Sequence, residues 1–250
     1  MRVVRSQPTR KQCNTALAGV PETPAPIMRF VDGFTAGTIV LATNHMGRYS
    51  DFEVSLEALA VPRGTSLIRA RSGSSAYNQN AGVRKRTGDW VWFIDDDHTF
   101  APDVLMRLLA HDKDIVAPLV PMRCAPYQLV LYKQLDIHEN EHRIVDAFTE
   151  AFYDYGDLNG ISGLYSVQGL PKAGCLIKER VWTDPKDPWF RIGLIHPDCI
   201  EDDKYFMWEV REKLGYTLWC DTDQTINHLT TASIECARNS DGTYKRVVRI

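Results

Sequence analysis

The sequence lacks several features that would place a protein in a particular class. It has no apolar stretch as long as a membrane-spanning helix, and its N-terminus has no apolar core of the signal-peptide kind. Its six cysteines are scattered without a Cys-x-x-Cys pair, which argues against a zinc site and fits reduced thiols. The net charge of -3 indicates neither bulk nucleic-acid binding nor a basic membrane surface. We therefore expect a cytoplasmic protein with no membrane span and no nucleic-acid partner.

The 250 residues are enough for one large α/β domain, and the contents of 44% hydrophobic and 24% charged residues are ordinary for a globular protein. Residues 1–37 contain several prolines and little periodicity, so we interpret them as an irregular lead-in. The main domain is expected at residues 38–235, divided into halves at 38–120 and 121–235, with a tail at 236–250.

Apolar strands alternate with helical patterns in the first half. Strands are predicted at 38–42, 66–70, 90–94 and 114–120, and the first intervening helix is expected to begin in a capping box formed by Ser50 and Glu53. This order predicts a mostly parallel sheet flanked by helices. The second half is less regular. It contains an expected strand at 127–133, an ambiguous segment at 138–170 and an amphipathic helix at 204–214 whose inward face includes Leu214.

One strand ends in a run of acids. The apolar residues from Trp90 to Ile94 fit a strand buried on both faces, and Asp95, Asp96 and Asp97 follow it directly. Three carboxylates at the carboxyl end of a strand repel one another unless a cation lies among them, and ligands of open α/β sheets bind at that edge. Oxygen ligands of this kind suit Mg²⁺ or Mn²⁺. A solvated acidic turn is the ordinary alternative.

Several segments occur in the order found in GT-A-type glycosyltransferases close to family 2, and the chain resembles that family over residues 38–230. The segments are Asn80–Val83, Thr87–Asp97, Pro102–Leu109, Gly174–Trp182, Asp202–Phe206 and Gly215–Asp221, followed by His228. The resemblance implies a GT-A-like (Rossmann-like) α/β fold. In such a fold residues 38–120 form the nucleotide-sugar half and residues 121–235 form an irregular acceptor half.

The resemblance also implies a metal-dependent transfer of a sugar from a UDP- or GDP-sugar donor, with Mn²⁺ or Mg²⁺ as cofactor. The acceptor would be a hydroxyl group on a protein, a glycan or a lipid-linked glycan, and the transfer would invert the configuration at the anomeric carbon. The candidate residues are Thr43, Asn44, Asn80, Asp95 and Asp96 for the nucleotide sugar, Asp95, Asp97 and His228 for the metal, and Asp203 for the catalytic base, with Asp202 as second choice.

Two departures from the family pattern concern the donor. The family often has arginine before the helix asparagine, where a cation meets the diphosphate, whereas this chain has Gln79. Arg69, Arg71 or Arg84 would then have to compensate. The aspartate that usually follows the second strand and binds the nucleobase of the donor is also missing, so the identity of the nucleobase stays open.

Other interpretations of the same residues stay open as well. Asp202 and Asp203 could simply cap a helix, and His228 could be an ordinary surface histidine. The run from Asp95 to Thr99 also fits the signature of haloacid-dehalogenase-like phosphatases, in which Asp95 would be the nucleophile beside Mg²⁺. A non-catalytic relative that only binds nucleotide sugar is the third possibility.

Overall fold

The structure is a computed structural model that describes residues 28–43, 49–71, 73–140, 145–191, 193–194, 199–200, 202–230 and 233–249. Asn44 and most of the predicted lead-in lie outside the described residues. The helices are α1 (Ser50–Ala58), α2 (Ser75–Arg84), α3 (Val104–Ala110) and α4 (Asp202–Trp208), and α4 continues into a π-helical turn at Glu209–Lys213. No helix of the described ranges is long and apolar enough to cross a membrane.

Strands make up most of the remaining regular structure. They are β1 (Arg29–Val31), β2 (Thr38–Ala42), β3 (Ala60–Pro62), β4 (Ser66–Ala70), β5 (Trp90–Asp95), β6 (His98–Phe100), β7 (Ile115–Leu119), β8 (Tyr132–Glu139), β9 (Val145–Phe152), β10 (Leu164–Val167), β11 (Leu176–Lys178), β12 (Gly193–Leu194), β13 (Cys199–Ile200), β14 (Leu218–Leu229), β15 (Ser233–Arg238) and β16 (Tyr244–Arg249). Two short 3₁₀ helices lie at Tyr155–Leu158 and Glu179–Thr183.

A large central sheet organises the chain, in the order β16-β15-β14-β7-β11-β5-β2-β4, and β6 and β10 also pair with β14. Strand β2 is parallel to β4 and β5, and β14 is parallel to β7. The predicted GT-A-like α/β fold with parallel strands flanked by helices is therefore confirmed. The carboxyl ends of β2, β4, β5 and β7 meet at one edge, and this edge is where ligands bind in open α/β sheets.

Strand β5 lies in the middle of the core, as its apolar sequence predicts. Val91 and Phe93 face one hydrophobic cluster together with α2 and α4, while Trp90, Trp92 and Ile94 face a second cluster together with α1 and α3. The period-2 alternation of strand side chains explains this division. Because both faces are buried, β5 holds its carboxyl end, and the acids that follow, in a fixed position.

Strand β11 interrupts the parallel pattern. It is antiparallel to both of its neighbours, β5 and β7, so its amino end lies at the edge where those strands end. Gly174, with φ of +78°, begins this insertion and donates a backbone hydrogen bond of 2.7 Å to Phe93. The consequence is that the residues just before β11 enter the same edge as the acids after β5.

Some sequence expectations were wrong. Helix α1 begins at Ser50 with Tyr49 as its N-cap and no side-chain cap, so the predicted capping box is absent there. The strand expected at 127–133 begins only at Tyr132, where β8 forms a hairpin with β9. Leu214 is 37% exposed instead of facing inward.

The predicted tail continues the sheet. Residues 236–250 contain the end of β15 and the whole of β16, and these two strands pair in antiparallel register. The predicted boundary at residue 235 thus falls inside a strand. The division of the chain into domains stays a prediction.

Helix α2 packs on β2 through Gly82, and this contact leads to a prediction on stability. A Cβ atom at Gly82 would lie 2.4 Å from Cγ1 of Val40. Alanine favours a helix over glycine by about 1 kcal/mol, but overpacking a tight core costs about 1–3 kcal/mol. The net expectation is that Gly82→Ala lowers the free energy of unfolding by up to about 2 kcal/mol in denaturant titration.

The control for this prediction is Gly156→Ala. A Cβ atom at Gly156 meets nothing within 4 Å, so we expect a change within about 0.5 kcal/mol. Equal unfolding midpoints for the two variants would contradict the packing explanation.

Candidate functional site

A polar cleft of about 270 Å³ opens at the edge where β2, β4 and β5 end. Its lining combines the three acids with two cations, small residues and amide or hydroxyl groups: Ala42, Thr43, Gly73, Ser75, Asn78, Asp95, Asp96, Asp97, Arg123 and Lys172. The parallel strands bring these residues together from separate parts of the chain. The cleft can therefore hold an anionic ligand only if cations offset the charge of the carboxylates.

Asp97, His98 and His228 form the group best suited to such a cation. One ligand atom from each lies within 4.8 Å of the others. Strand β6 pairs with β14 so that His98 stands opposite His228, and their ring centroids are 4.3 Å apart. The backbone N–H of Leu229 also donates to the Asp97 carbonyl at 2.6 Å, which fixes the end of β14 against the acids.

The hydrogen bonds of His228 prepare one nitrogen for a cation. Its Nδ1 atom lies 3.0 Å from the carbonyl oxygen of Pro121, so the neutral ring donates there and carries its lone pair on Nε2. That Nε2 atom faces Oδ2 of Asp97 at 3.2 Å. Two lone pairs at this distance repel each other unless a proton or a metal ion lies between them.

The second imidazole is buried and uncharged. His98 is 2% exposed, and neither ring nitrogen has a hydrogen-bond partner among the described residues. Burial and the neighbouring His228 lower the pKa of His98 to about 4, so the ring is neutral at pH 7. A neutral imidazole with free lone-pair capacity is a metal ligand. The imidazole, whose Nδ1 atom lies 3.4 Å from Oδ1 of Asp97, and the Asp97 carboxylate therefore fit a divalent ion.

Asp97 stays ionised despite its partial burial. Burial raises the pKa of this carboxyl group. When a proton instead of a metal ion lies between Asp97 and Nε2 of His228, the resulting hydrogen bond and the positive charge around it, including that of Arg123, lower the pKa more, and it falls well below its usual range. Arg123 approaches Oδ2 of Asp97 at 3.2 Å from the loop after β7, and its side chain is 61% exposed. This cation can therefore move between Asp97 and a bound anion.

Asp95 has a different partner. The ammonium group of Lys172 donates to its Oδ1 atom at 2.8 Å, and Lys172 is 8% exposed. Burial lowers the pKa of Lys172, but Asp95, Asp203 and Asp202 together raise it above its ordinary value, so the side chain is charged. Lys172 reaches this position because it lies four residues before the first residue of the antiparallel strand β11.

A second, inner cavity of about 170 Å³ adjoins the cleft. Ser75, Asp95 and Lys172 line both spaces. The other residues that line the inner cavity include the two acids at the start of α4, both imidazoles and several apolar side chains. They are Gln79, His98, Val120, Val130, Pro171, Ala173, Asp202, Asp203 and His228. The Asp95–Lys172 pair thus lies at the junction between an outer cleft and an inner cavity.

The predicted site residues have the following places. Asp95 and Asp97 line the cleft, and Asp95, Asp202, Asp203 and His228 line the inner cavity. Asp95 pairs with Lys172 and is not a member of the three-residue group formed by Asp97, His98 and His228.

Two candidates for the nucleotide sugar have structural contacts. The Thr43 hydroxyl donates a short hydrogen bond to Asp96 in the cleft. The Asn80 amide lines neither the cleft nor the inner cavity; it donates to the carbonyl of Phe190 at 2.7 Å and accepts from its N–H at 3.0 Å. Asn80 therefore fixes the segment at residue 190 against α2.

Three residues of the site were not predicted from the sequence. Lys172, Arg123 and His98 supply the cations and the second imidazole. By contrast, Arg84 pairs with Asp187, and none of the three arginines suggested as compensating cations is among the described residues that line the cleft. The sequence could have indicated His98 as a site residue, because it directly follows the acids. The indication for Lys172 was weaker and consisted of its position shortly before Gly174 and strand β11.

The α/β fold and the acid-histidine edge resemble those of GT-A-type proteins, and part of the chain matches a family model. The model described as glycosyl transferase family 2 matches residues 58–161, which include β4, α2, β5 and the three acids. This match confirms the resemblance predicted from the sequence. It covers less than half of the chain, and Lys172, Asp203 and His228 lie outside it. No curated protein matches the chain.

Solved structures with a similar course of the chain share little sequence. A197 from STIV is 14% identical with a TM-score of 0.49, and the alignment covers 85% of this chain and 94% of that chain. GalNAc-T7, described with UDP, GalNAc and Mn²⁺, is 11% identical with a TM-score of 0.48 and coverages of 79% and 43%. The inositol-1-phosphate CTP transferase from T. maritima is 12% identical with a TM-score of 0.36 and coverages of 77% and 69%.

Proposed function

We propose that the protein is a metal-dependent, inverting glycosyltransferase that moves a sugar from a UDP- or GDP-sugar to an acceptor hydroxyl group. The observation that carries this proposal is the junction at Asp95 and Lys172, where an outer cleft meets an inner cavity. The outer cleft suits the nucleoside diphosphate and the inner cavity suits the sugar. The bond to be broken would then lie between them.

Asp97, His98 and His228 would hold the metal ion, which neutralises charge on the diphosphate when bound. Two imidazoles make this set softer than the set expected from the sequence, in which Asp95 stood in the place of His98, and this favours Mn²⁺ over Mg²⁺. Lys172 and Arg123 supply further positive charge at the cleft, in place of the arginine that the family pattern has at Gln79. The chain's own cations therefore bind and orient the leaving group.

The transfer itself needs a base in the inner cavity. The acceptor oxygen forms a bond to the anomeric carbon from the face opposite the diphosphate, and the carbon–oxygen bond to the diphosphate breaks with its electron pair leaving on the phosphate. The acceptor proton passes to Asp203, or to Asp202 as second choice. Both acids lie in the inner cavity with Lys172, and neither belongs to the metal group.

The match to family 2 and the preceding β2–α1 and β4–α2 units favour a transferase over the phosphatase alternative. A screen of UDP- and GDP-sugars with Mn²⁺ separates the two. A transferase releases free sugar and nucleoside diphosphate by slow hydrolysis of the donor, whereas a phosphatase releases inorganic phosphate. The acceptor's chemical type and the cytoplasmic location stay predictions.

Metal-dependent nucleotide binding is the first test of this proposal. We expect UDP or GDP to bind at least about tenfold more tightly with Mn²⁺ than with chelator, and Asp97→Asn to abolish this difference because it removes a charged ligand. Isothermal titration calorimetry measures both. Asp89→Asn is the matched control, because Asp89 is exposed and lies at the opposite end of the same strand. Equal affinity in metal and in chelator for the unmodified protein would refute the metal-dependent site.

A further inference from the structure

Gln79 occupies an unusual position for a neutral amide. It lies on α2, is 1% exposed, and lines the inner cavity together with charged groups, among them Lys172, Asp95 and Asp203. Its Nε2 atom donates to the Ser75 hydroxyl at 2.6 Å, one helical turn earlier. The amide is therefore held in place by a neighbour on its own helix.

The other end of the amide has no such partner. The Oε1 atom of Gln79 is buried and makes no hydrogen bond with any described residue. Leaving a buried carbonyl oxygen without a donor costs folding free energy, and buried polar atoms of this kind are uncommon in native structures. A ligand group that donates a hydrogen bond would satisfy this atom.

The chemistry of the atom limits what the ligand group can be. A carbonyl oxygen accepts a hydrogen bond and repels a phosphate oxygen, so Gln79 cannot take over the role of an arginine that contacts a diphosphate. The outer cleft, with Asp96, Thr43 and Arg123, is a separate space that Gln79 does not line. A hydroxyl group is the donor that a sugar offers in an inner cavity.

We propose that Gln79 is a specificity-determining residue whose Oε1 atom accepts a hydrogen bond from one hydroxyl group of the transferred sugar, with Ser75 orienting the amide. This inference rests on the proposed transferase function. It goes further because it assigns recognition of the sugar to Gln79, a position at which the chain departs from the family pattern. A site built to bond a hydroxyl group rejects an analogue that lacks it.

The test compares Gln79→Met, which keeps the length of the side chain and removes the amide, with the unmodified protein. Calorimetry with Mn²⁺ gives the affinities for UDP, GDP, a panel of UDP- and GDP-hexoses, and the monodeoxy analogues of the tightest-binding hexose. We expect the unmodified protein to bind one monodeoxy analogue about 10–100-fold more weakly than the parent hexose. Gln79→Met should bind the parent as weakly as that analogue, and the nucleoside diphosphate as tightly as the unmodified protein does.

Gln79→Leu provides a second variant of different shape, with thermal unfolding to establish that both fold. Gln134→Met is the matched control, because Gln134 is exposed on β8, and it should bind every ligand like the unmodified protein. If Gln79→Met and Gln79→Leu both distinguish parent from analogue as before, or lose affinity for the diphosphate alone, the inference is overturned. If the unmodified protein binds none of the nucleotide sugars, the transferase proposal fails and this inference fails with it.

Discussion

Replacing Asp203 with asparagine should lower the rate of sugar transfer by about 10²–10⁴-fold while donor affinity stays nearly unchanged. An acceptor hydroxyl group is a poor nucleophile until its proton is removed, and a general base within hydrogen-bond reach contributes an effect of this size. Asparagine keeps the shape of the side chain and removes its basicity. The expected loss is therefore in the chemical step and not in binding.

The position of Asp203 supports this expectation. It lies in the inner cavity near Lys172, whose pKa it helps to raise, so its carboxylate is in the electrostatic environment of a buried cation. Helix α4, which it helps to begin, buries Phe206 and Met207 in the core. A rigid helix start holds a catalytic group still, as proton transfer requires.

Steady-state and single-turnover transfer assays, combined with calorimetry of the donor, measure the two quantities separately. Glu212→Gln serves as the control, since this exposed acid lies in the π-helical turn that continues α4. Asp202→Asn distinguishes the two neighbouring acids. Wild-type transfer rates in both Asp203→Asn and Asp202→Asn would mean that these acids only begin the helix, and the proposed inverting mechanism would be wrong.

Lys172→Met should affect both stability and donor binding. The substitution leaves Asp95 without its partner at 2.8 Å in a largely buried place close to Asp202 and Asp203. Removing one member of a buried pair leaves an uncompensated charge, and because Asp95 is partly exposed we expect a loss of about 1–3 kcal/mol in unfolding free energy. Affinity for UDP or GDP should fall about 10–100-fold, because a charged donor to the diphosphate is lost.

A second substitution separates the two effects. In Lys172→Met with Asp95→Asn, the buried carboxylate is neutralised, so stability should recover in part while affinity for the diphosphate stays low. Lys133→Met is the control, because Lys133 forms a surface pair with Asp157 and both side chains are well exposed. If Lys172→Met unfolds and binds like Lys133→Met, then Lys172 is neither a structural partner of Asp95 nor a ligand of the diphosphate.

The sequence was sufficient for the parts of the site that depend on strand patterns. The run from Trp90 to Ile94 is apolar at every position, and this pattern fits a strand buried on both faces, so the location of Asp95 and Asp97 followed from it. The proximity of His228 followed from the order of the family segments. It could not have followed from the local sequence, because 131 residues separate it from Asp97.

Lys172 was missed for a topological reason. Its arrival beside Asp95 depends on β11 running antiparallel between two strands, and the hydrophobicity of a short strand does not encode its direction. Asn80 was assigned to the nucleotide sugar from the family resemblance. Its contact with Phe190 joins residues 110 positions apart, which no local pattern reveals.

The predicted inward face of the last helix was wrong at Leu214 for a geometric reason. A regular 3.6-residue period places Leu214 on the same face as Val210, which is buried. The π-helical turn at Glu209–Lys213 adds a residue to the turn and rotates the residues that follow, so Leu214 points to solvent.

The distance along the chain between Asp97 and His228 also has a consequence for how the protein is made. A ribosome that has released the acids must add 131 more residues before the histidine that faces them exists. The strands that precede β14 can fold around β5 during this interval, but the three-residue group at its end cannot form. We therefore expect a nascent chain to acquire part of its α/β core before it can bind Mn²⁺ there, because the metal group forms only after synthesis has passed His228.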